Sequence, residues 1–466
     1  MDTHPNVILH LGLGAFHRAH QADFLQDLHE RAGRHAGWTI VAANIRPDPL
    51  DPGAALRAQG CAYTLETVAP DGSRAYRTIR AISDVIAWEP GLARVVAVGS
   101  AEATRIVSFT VTEAGYLLGA DGRLDLDSPA LRESVAQARR GVPGATIYGA
   151  LAAILRARRA GGAGPLTLLC CDNLRHNGER VRAGLEQFLA LAGDSATLDW
   201  MRVHASFPNS MVDRITPRPT PALRARVLAA TGIDDPAAVG CEAWRDWVIE
   251  DDFRHGRPAW EDAGARLVTS VAPYEEAKIR ILNASHSCFA WAGALAGHTH
   301  IHDSVRDARI RALAHDYVTG AVFDCLRPSP VDLDAYRDAV LARFASDAIA
   351  DTVERVLADS SAKLAQFIVP TIRERLARAL PLDDVAPLPL LYLRFLRRWQ
   401  AGGEALDYQD RELDPALVRR VCEAPDPVAA FAAEAALWSE LAHDARLLDA
   451  LRVARPRLAA LGLADG

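Results

Sequence analysis

The sequence is sparing with cysteine and has no long uncharged apolar run, and its basic side chains do not outnumber its acidic ones. Its seven cysteines, Cys61, Cys170, Cys171, Cys241, Cys288, Cys325 and Cys422, are scattered, and none falls in a C-x-x-C pair. Both a disulfide framework and a zinc ribbon are thereby excluded, and reduced thiols fit. The lack of an apolar stretch of membrane-spanning length argues against a buried anchor. Nor does a charged segment followed by an apolar one precede the strand-like run at 7–11, as a signal peptide would require. With 52 basic against 59 acidic side chains the net charge is -7. That gives no electrostatic reason to expect nucleic acid or an anionic membrane as a partner. The expectation is a soluble cytoplasmic protein, with no internal repeat, low-complexity tract or heptad and with its oligomeric state, monomer or dimer, left open.

What is present is core-forming. Half of the 466 residues are hydrophobic and 24% are charged, and the length exceeds what one core usually serves, so two domains are expected. The runs at 7–11, 38–42, 105–111 and 165–170 are compact and apolar, as strands buried on both faces are. Helix-like segments at 20–32 and 147–158 alternate with them, which predicts βαβ units and a parallel sheet. After about residue 275 helical patterns dominate, at 274–296, 303–319, 332–343, 349–358, 390–399 and 427–442. The predicted architecture is an α/β Rossmann-like dinucleotide-binding domain over 1–270, followed by a mainly α-helical substrate and catalytic domain over 271–466.

Gly12-Leu-Gly14-Ala-Phe16-His17 follows the first strand and opens a helix. Glycines there allow a tight turn and close approach to a pyrophosphate, which makes Gly12, Gly14 and Phe16 candidate cofactor contacts. The third glycine of the usual fingerprint is replaced by His17. At the end of the second strand Asp48 suits ribose hydroxyls and Arg46 a 2′-phosphate, so spacing alone leaves NAD and NADP both open.

The most informative stretch runs from Tyr274 to His286. On a helix each residue advances about 100°, which places Glu275, Lys278, Asn283 and His286 within an arc of roughly 140°. Ile279 and Leu282 share that arc, so the face suits a partly buried site better than a solvated stripe. A desolvated lysine beside a cationic nicotinamide is a less basic amine that accepts a proton from an alcohol, and Glu275 then passes it to water. Tyr274 and Lys278 also spell Y-x-x-x-K, the pair of short-chain dehydrogenases, but those are single domains of about half this length, with a different glycine loop.

These residues sit in longer motifs: GLGAFHRAHQA (12–22), TVTEAGY (110–116), CDNLRHNGER (171–180), FPNSMVDRITP (207–217), WVIEDDF (247–253) and YEEAKIRILNASHSCFAWAG (274–293). Together they resemble the polyol-specific long-chain dehydrogenases, the mannitol dehydrogenase family. AANIR (42–46), YTLETVAPDG (63–72), TGIDD (231–235) and DYQDRELD (407–414) resemble its D-arabinitol branch in particular. The resemblance implies NAD-dependent, metal-independent oxidation of a polyol to a ketose, D-arabinitol to D-xylulose first, with D-mannitol to D-fructose and hexuronate reduction as alternatives. It implies Lys278 as general base and Asn173 and Asn283 as donors to the reacting oxygen. His286 would orient the substrate and Glu275 would gate proton exit. Asp213 would reach the site, braced by Arg214. ERVLADSSAK (354–363) resembles the element from which Arg355 and Lys363 contact hydroxyls, with Ser360 where the family carries glycine. The alternating His298, His300 and His302 read as a surface loop, since no carboxylate or cysteine partner for a metal is evident from spacing.

Overall fold

The computed structural model describes residues 5–31, 37–47, 52–119, 122–348, 350–402 and 408–462. The chain divides into two compact units, Met1–Ala69 with Ser73–Ala272, and Pro273–Gly466 with Pro70–Gly72. Among the described residues no helix is long and apolar enough to cross a membrane.

The strands of the first unit are β1 (Asn6–Leu11), β2 (Trp38–Ala43), β3 (Tyr63–Val68), β4 (Arg74–Ile79), β5 (Ile82–Ile86), β6 (Thr104–Phe109), β7 (Leu166–Cys170), β8 (Ala205–Ser206), β9 (Ser210–Asp213), β10 (Val239–Glu242), β11 (Asp246–Glu250) and β12 (Arg266–Val268). A six-stranded sheet of order β5-β2-β1-β6-β7-β8 has every neighbouring pair parallel. The chain steps outward from β1 to β5, then returns to the other side of β1 as β6. The two directions part between β1 and β6, where an open α/β sheet binds its ligand. Two three-stranded sheets, β10-β3-β4 and β12-β11-β9, complete the unit.

The apolar runs read as doubly buried strands are β1, β2, β6 and β7, and side-chain alternation explains the two covered faces. Leu9, Leu11, Val107, Phe109 and Leu168 join a core with Leu151 and Ile154 of the helix Ile147–Gly161. Ile8, Ile40, Ile106 and Leu169 point the other way, to Phe24, Leu25, Trp247 and Trp260. Thr146 caps that first helix by accepting from Gly149 N–H, and Gly162 ends it in the left-handed region.

In the second unit, Ala284–Ala296 is apolar nearly all round and buried, as a helix at the centre of a core must be. Three predicted helices are interrupted. The helix expected over 349–358 shrinks to Val353–Leu357, because the backbone at 351–353 bonds to 299–301 and Thr352 caps the shortened helix. The stretch 303–319 breaks at Asp307, which caps Ala308–Asp316, and 427–442 breaks after Ala432.

Three histidines cluster behind the end of β1. His10 stacks on His17 with ring centroids 3.4 Å apart, and His20 packs edge-on to Trp247. Burial pushes His10 and His20 down to about 3 and holds His17 well below its ordinary value. These imidazoles are neutral in the fold yet take up protons once unfolded, so their stabilisation is complete above about pH 6.5 and is lost as pH falls toward 3. Each of the two costs about 1.4 kcal/mol per pH unit across that window. Thermal unfolding should therefore shift clearly downward between pH 7 and pH 5, before most carboxylates titrate. An unchanged midpoint would show that the cluster is protonated in the folded protein.

Candidate active site

The end of β1 carries the glycine turn. Gly12 has φ +102° and donates to Ala43 O, and an added Cβ would lie 2.0 Å from Thr110 O. No other residue fits between these two strand ends. Gly14, at the start of the helix Ala15–Ala19, is different: a Cβ there would meet only Gly12 O, at 3.9 Å, so open space lies beside it. Leu13 N donates to Asn44 Oδ1 at 2.8 Å, which ties the turn to the end of β2. His17, at the position of the missing glycine, is buried in the stack on His10, and Phe16 stacks on His20 at 4.9 Å.

Beside this turn a cavity of about 190 Å³ is lined by Leu13, Asn44, Arg46, Arg57, Ile86 and Trp88, among others. It lies at the C-terminal ends of β2 and β5, where an adenosine half would sit. Together the turn, the open space at Gly14 and this cavity fit a dinucleotide. Arg46 lines the cavity and Arg57 joins it, a second arginine that sequence reading missed because it lies on the helix after the second strand. Asp48 lies outside the described residues. Gly12→Ala is expected to cost roughly 1–3 kcal/mol of stability and to weaken NADH binding, whereas Gly14→Ala should melt like the parent. Parallel thermal melts and NADH fluorescence titrations check this, and equal behaviour of the two variants would refute the strand-end constraint.

Asn173 lies exposed in the loop after β7, and its neighbours explain why the motifs occur together. Asp172 accepts from Val111 N at 2.8 Å, Thr112 N at 3.3 Å and Tyr116 Oη at 2.5 Å. This carboxyl binds the TVTEAGY segment to the CDN segment, although burial raises it above the usual carboxylate range. Asn177 Nδ2 donates to Ser210 O, and Asn209 Nδ2 donates to Glu250 Oε2. The motifs at 171–180, 207–217 and 247–253 thus form one interlocked support. None of these groups had been singled out from sequence, and only their place inside recurring motifs signalled them.

Asp213 ends β9, buried, and accepts from Trp244 Nε1 at 3.1 Å. Arg214 is buried behind it, paired with Asp23 at 2.7 Å and donating to Glu242 O at 3.0 Å.

In the second unit the lysine helix is continuous from Ala272 to Ala296, but it is not α-helical throughout. Over Lys278–Asn283 it widens to π geometry, flanked by α turns. An i→i+5 turn brings residues five apart nearly above one another, so Lys278 and Asn283 come closer to one face than regular α spacing allows. Lys278 and Glu275 are buried, and Asn283 and His286 partly so. Arg280, on the same segment, is paired with Glu276 and Glu374 at 2.7 and 2.6 Å.

His286 begins a second cluster. Its ring stacks on Phe344 at 4.4 Å, and its Nε2 lies 3.2 Å from Asp351 Oδ2. Burial lowers the imidazole, against the pull of Asp351. Arg355 grips both Asp351 oxygens through Nε and Nη2. Burial alone would raise the Asp351 carboxyl, but these two partners hold it well below the carboxylate range. Lys363 Nζ donates to Val356 O at 2.6 Å, and burial with the nearby Arg355 charge pushes its amine down to about 8. The left-handed residue of this segment is Asp359 (φ 54°), not Ser360. Ser360 is helical and buried, accepts the Trp291 indole N–H at 2.9 Å and donates to Leu357 O at 2.6 Å. Its hydroxyl ties the segment carrying Arg355 and Lys363 to the lysine helix, and no glycine is required there.

The sequence-derived residues thus fall into local groups. Gly12, Gly14 and Phe16 share the end of β1, Glu275, Lys278, Asn283 and His286 share one helix, and His286 meets Arg355 through Asp351.

Comparison with known proteins places these groups in context. The mannitol dehydrogenase Rossmann domain matches residues 6–262, and the mannitol dehydrogenase C-terminal domain matches 270–458. The chain is 52% identical to a D-arabinitol 4-dehydrogenase of Ralstonia nicotianae over 97% of both chains. It is 47% identical to the Klebsiella pneumoniae D-arabinitol 4-dehydrogenase, covering 95% of this chain and 96% of that one. Pseudomonas fluorescens mannitol 2-dehydrogenase, solved as a ternary complex with NAD and D-mannitol, is similar in structure. Its TM-score is 0.84 and its identity 31%, over 99% of this chain and 93% of that one.

Proposed function

The chain belongs to the mannitol dehydrogenase family, and from that membership we propose that it is a cytoplasmic enzyme oxidising a secondary alcohol of a polyol with NAD⁺. The favoured reaction is D-arabinitol plus NAD⁺ to D-xylulose, NADH and a proton. The observation that carries the substrate is the 52% identity over 97% of a D-arabinitol 4-dehydrogenase.

When bound, NAD⁺ would supply the acceptor for the hydride of the carbinol carbon. Gly12, Gly14 and Phe16 would hold the dinucleotide at the end of β1, and Asp48 would meet the ribose hydroxyls. Lys278 accepts the hydroxyl proton, and Glu275, one turn earlier, hands it to solvent. Asn173 and Asn283 donate to the oxygen and stabilise its growing negative charge. His286, Asp213, Arg355 and Lys363 position the remaining hydroxyls. No metal takes part in this scheme.

A second reading, D-mannitol to D-fructose, draws on the likeness to the mannitol 2-dehydrogenase complex. Reduction of a uronate is disfavoured by the Arg355–Asp351 pair, which neutralises a cation that a substrate carboxylate would need.

An NADH-absorbance screen over arabinitol, mannitol, sorbitol, xylitol and ribitol, with NAD⁺ and NADP⁺, tests the proposal. The highest kcat/KM is expected for D-arabinitol with NAD⁺. A better result with mannitol would replace the substrate, and inactivity on every polyol would end the reading. Full turnover is also expected after EDTA and dialysis, and a loss restored by zinc would refute metal-free chemistry.

A further inference from the structure

Away from the lysine helix, three ligating side chains meet at the start of the helix Ile301–Arg306. His300, His302 and Asp303 each bring a donor atom into one space, all within 4.8 Å of one another. His302 Nε2 stands 3.5 Å from Asp303 Oδ1, and His300 Nδ1 stands 3.8 Å from Asp303 Oδ2. The imidazoles are nearly parallel, 5.1 Å apart and tilted by 18°. His302 Nδ1 is buried and has no hydrogen-bond partner among the described residues, so packing holds this ring while Nε2 faces the carboxylate. By spacing these histidines had no carboxylate partner. The turn into the helix supplies one, by folding Asp303 back onto both rings.

We infer that His300, His302 and Asp303 form a binding site for one divalent transition-metal ion of the zinc class, with water completing its shell. Two imidazoles and a carboxylate suit zinc, cobalt or nickel, whereas calcium and magnesium demand mainly oxygen ligands. Metal–ligand bonds of about 2.0–2.1 Å in a tetrahedral shell put donor atoms roughly 3.3 Å apart. The His302–Asp303 pair is already near that spacing. The rest close by side-chain rotation, for which His300 and Asp303, 35% and 43% exposed, have room. Asp347 adds a further negative group near His302, although it is paired with Arg306.

The site is wired to the sugar-contact cluster through the backbone. Ile301 N donates to Asp351 O and Val353 N to Thr299 O, both at 2.9 Å, and His300 bridges Thr352. Asp351 is the carboxylate that meets His286 and Arg355. Ser304, in the same short helix, lies so close to the lysine helix that a Cβ on Gly293 would be 2.1 Å from its Oγ. An ion here therefore stiffens the segment carrying Asp351 without entering the chemistry.

The test uses the full chain, dialysed against EDTA and titrated with Zn²⁺ by calorimetry and with Co²⁺ by visible absorption. One ion per chain is expected, together with a raised melting temperature and slowed amide exchange over 299–305 and 351–355. The His300→Ala/His302→Ala variant should bind Zn²⁺ at least 10²-fold more weakly and lose both effects, while its metal-free turnover stays at the parent value. Should that variant misfold, Asp303→Asn carries the same expectation. Absence of stoichiometric binding in the parent, or equal binding in the variants, would overturn the site.

Discussion

Lys278→Ala is expected to lower kcat by about 10³–10⁴-fold at neutral pH while leaving NADH affinity close to that of the parent. Removing a positioned general base forfeits a rate factor of about 10²–10⁴. The turn before Lys278 carries Glu275, to which the proposed scheme gives the proton's exit rather than its removal. Tyr274, the other half of the Y-x-x-x-K match, is only partly buried, and Tyr274→Phe is expected to keep most of the turnover. The rise of rate with pH that reports the base should vanish in Lys278→Ala and survive in Tyr274→Phe. Steady-state kinetics with an NADH titration separates chemistry from cofactor binding. Near-normal turnover without the lysine would remove it from the mechanism, whatever the family pattern.

Asn173→Ala should cost about 10²–10³ in kcat, the usual effect of deleting one donor to a developing oxyanion. The loop that presents it is held by other side chains as well. Asp172 holds that loop through Val111, Thr112 and Tyr116, and Asn177 anchors the following helix to Ser210. The variant should therefore melt like the parent and lose rate alone. A large drop in stability would mark Asn173 as structural, and an unchanged kcat would strike it from the site.

The parallel sheet was readable because β1, β2, β6 and β7 are short apolar runs, and few other structures bury both faces of so short a segment. The two small sheets were not readable. Strands β9 and β12 are only four and three residues long, and their pairing is set by contacts distant in sequence. Helix boundaries in the second unit failed where a local bond outcompeted the helical pattern, as at Thr352 and Asp307. The candidate site residues came from motif resemblance more than from spacing. Helical periodicity alone left Lys278 only modestly favoured over a solvated face.

The residues alone established the class of architecture and the glycine turn and singled out the lysine helix as a candidate, because apolar periodicity and side-chain type are local properties. Folding decided which of them meet. The π segment over Lys278–Asn283 shifts the lysine and the asparagine toward one face, a change of register that no residue in the stretch announces. The approach of His286 to Asp351 and the Ser360–Trp291 hydrogen bond are likewise tertiary. Each depends on where separate segments pack, and packing responds to the whole core rather than to neighbours along the chain.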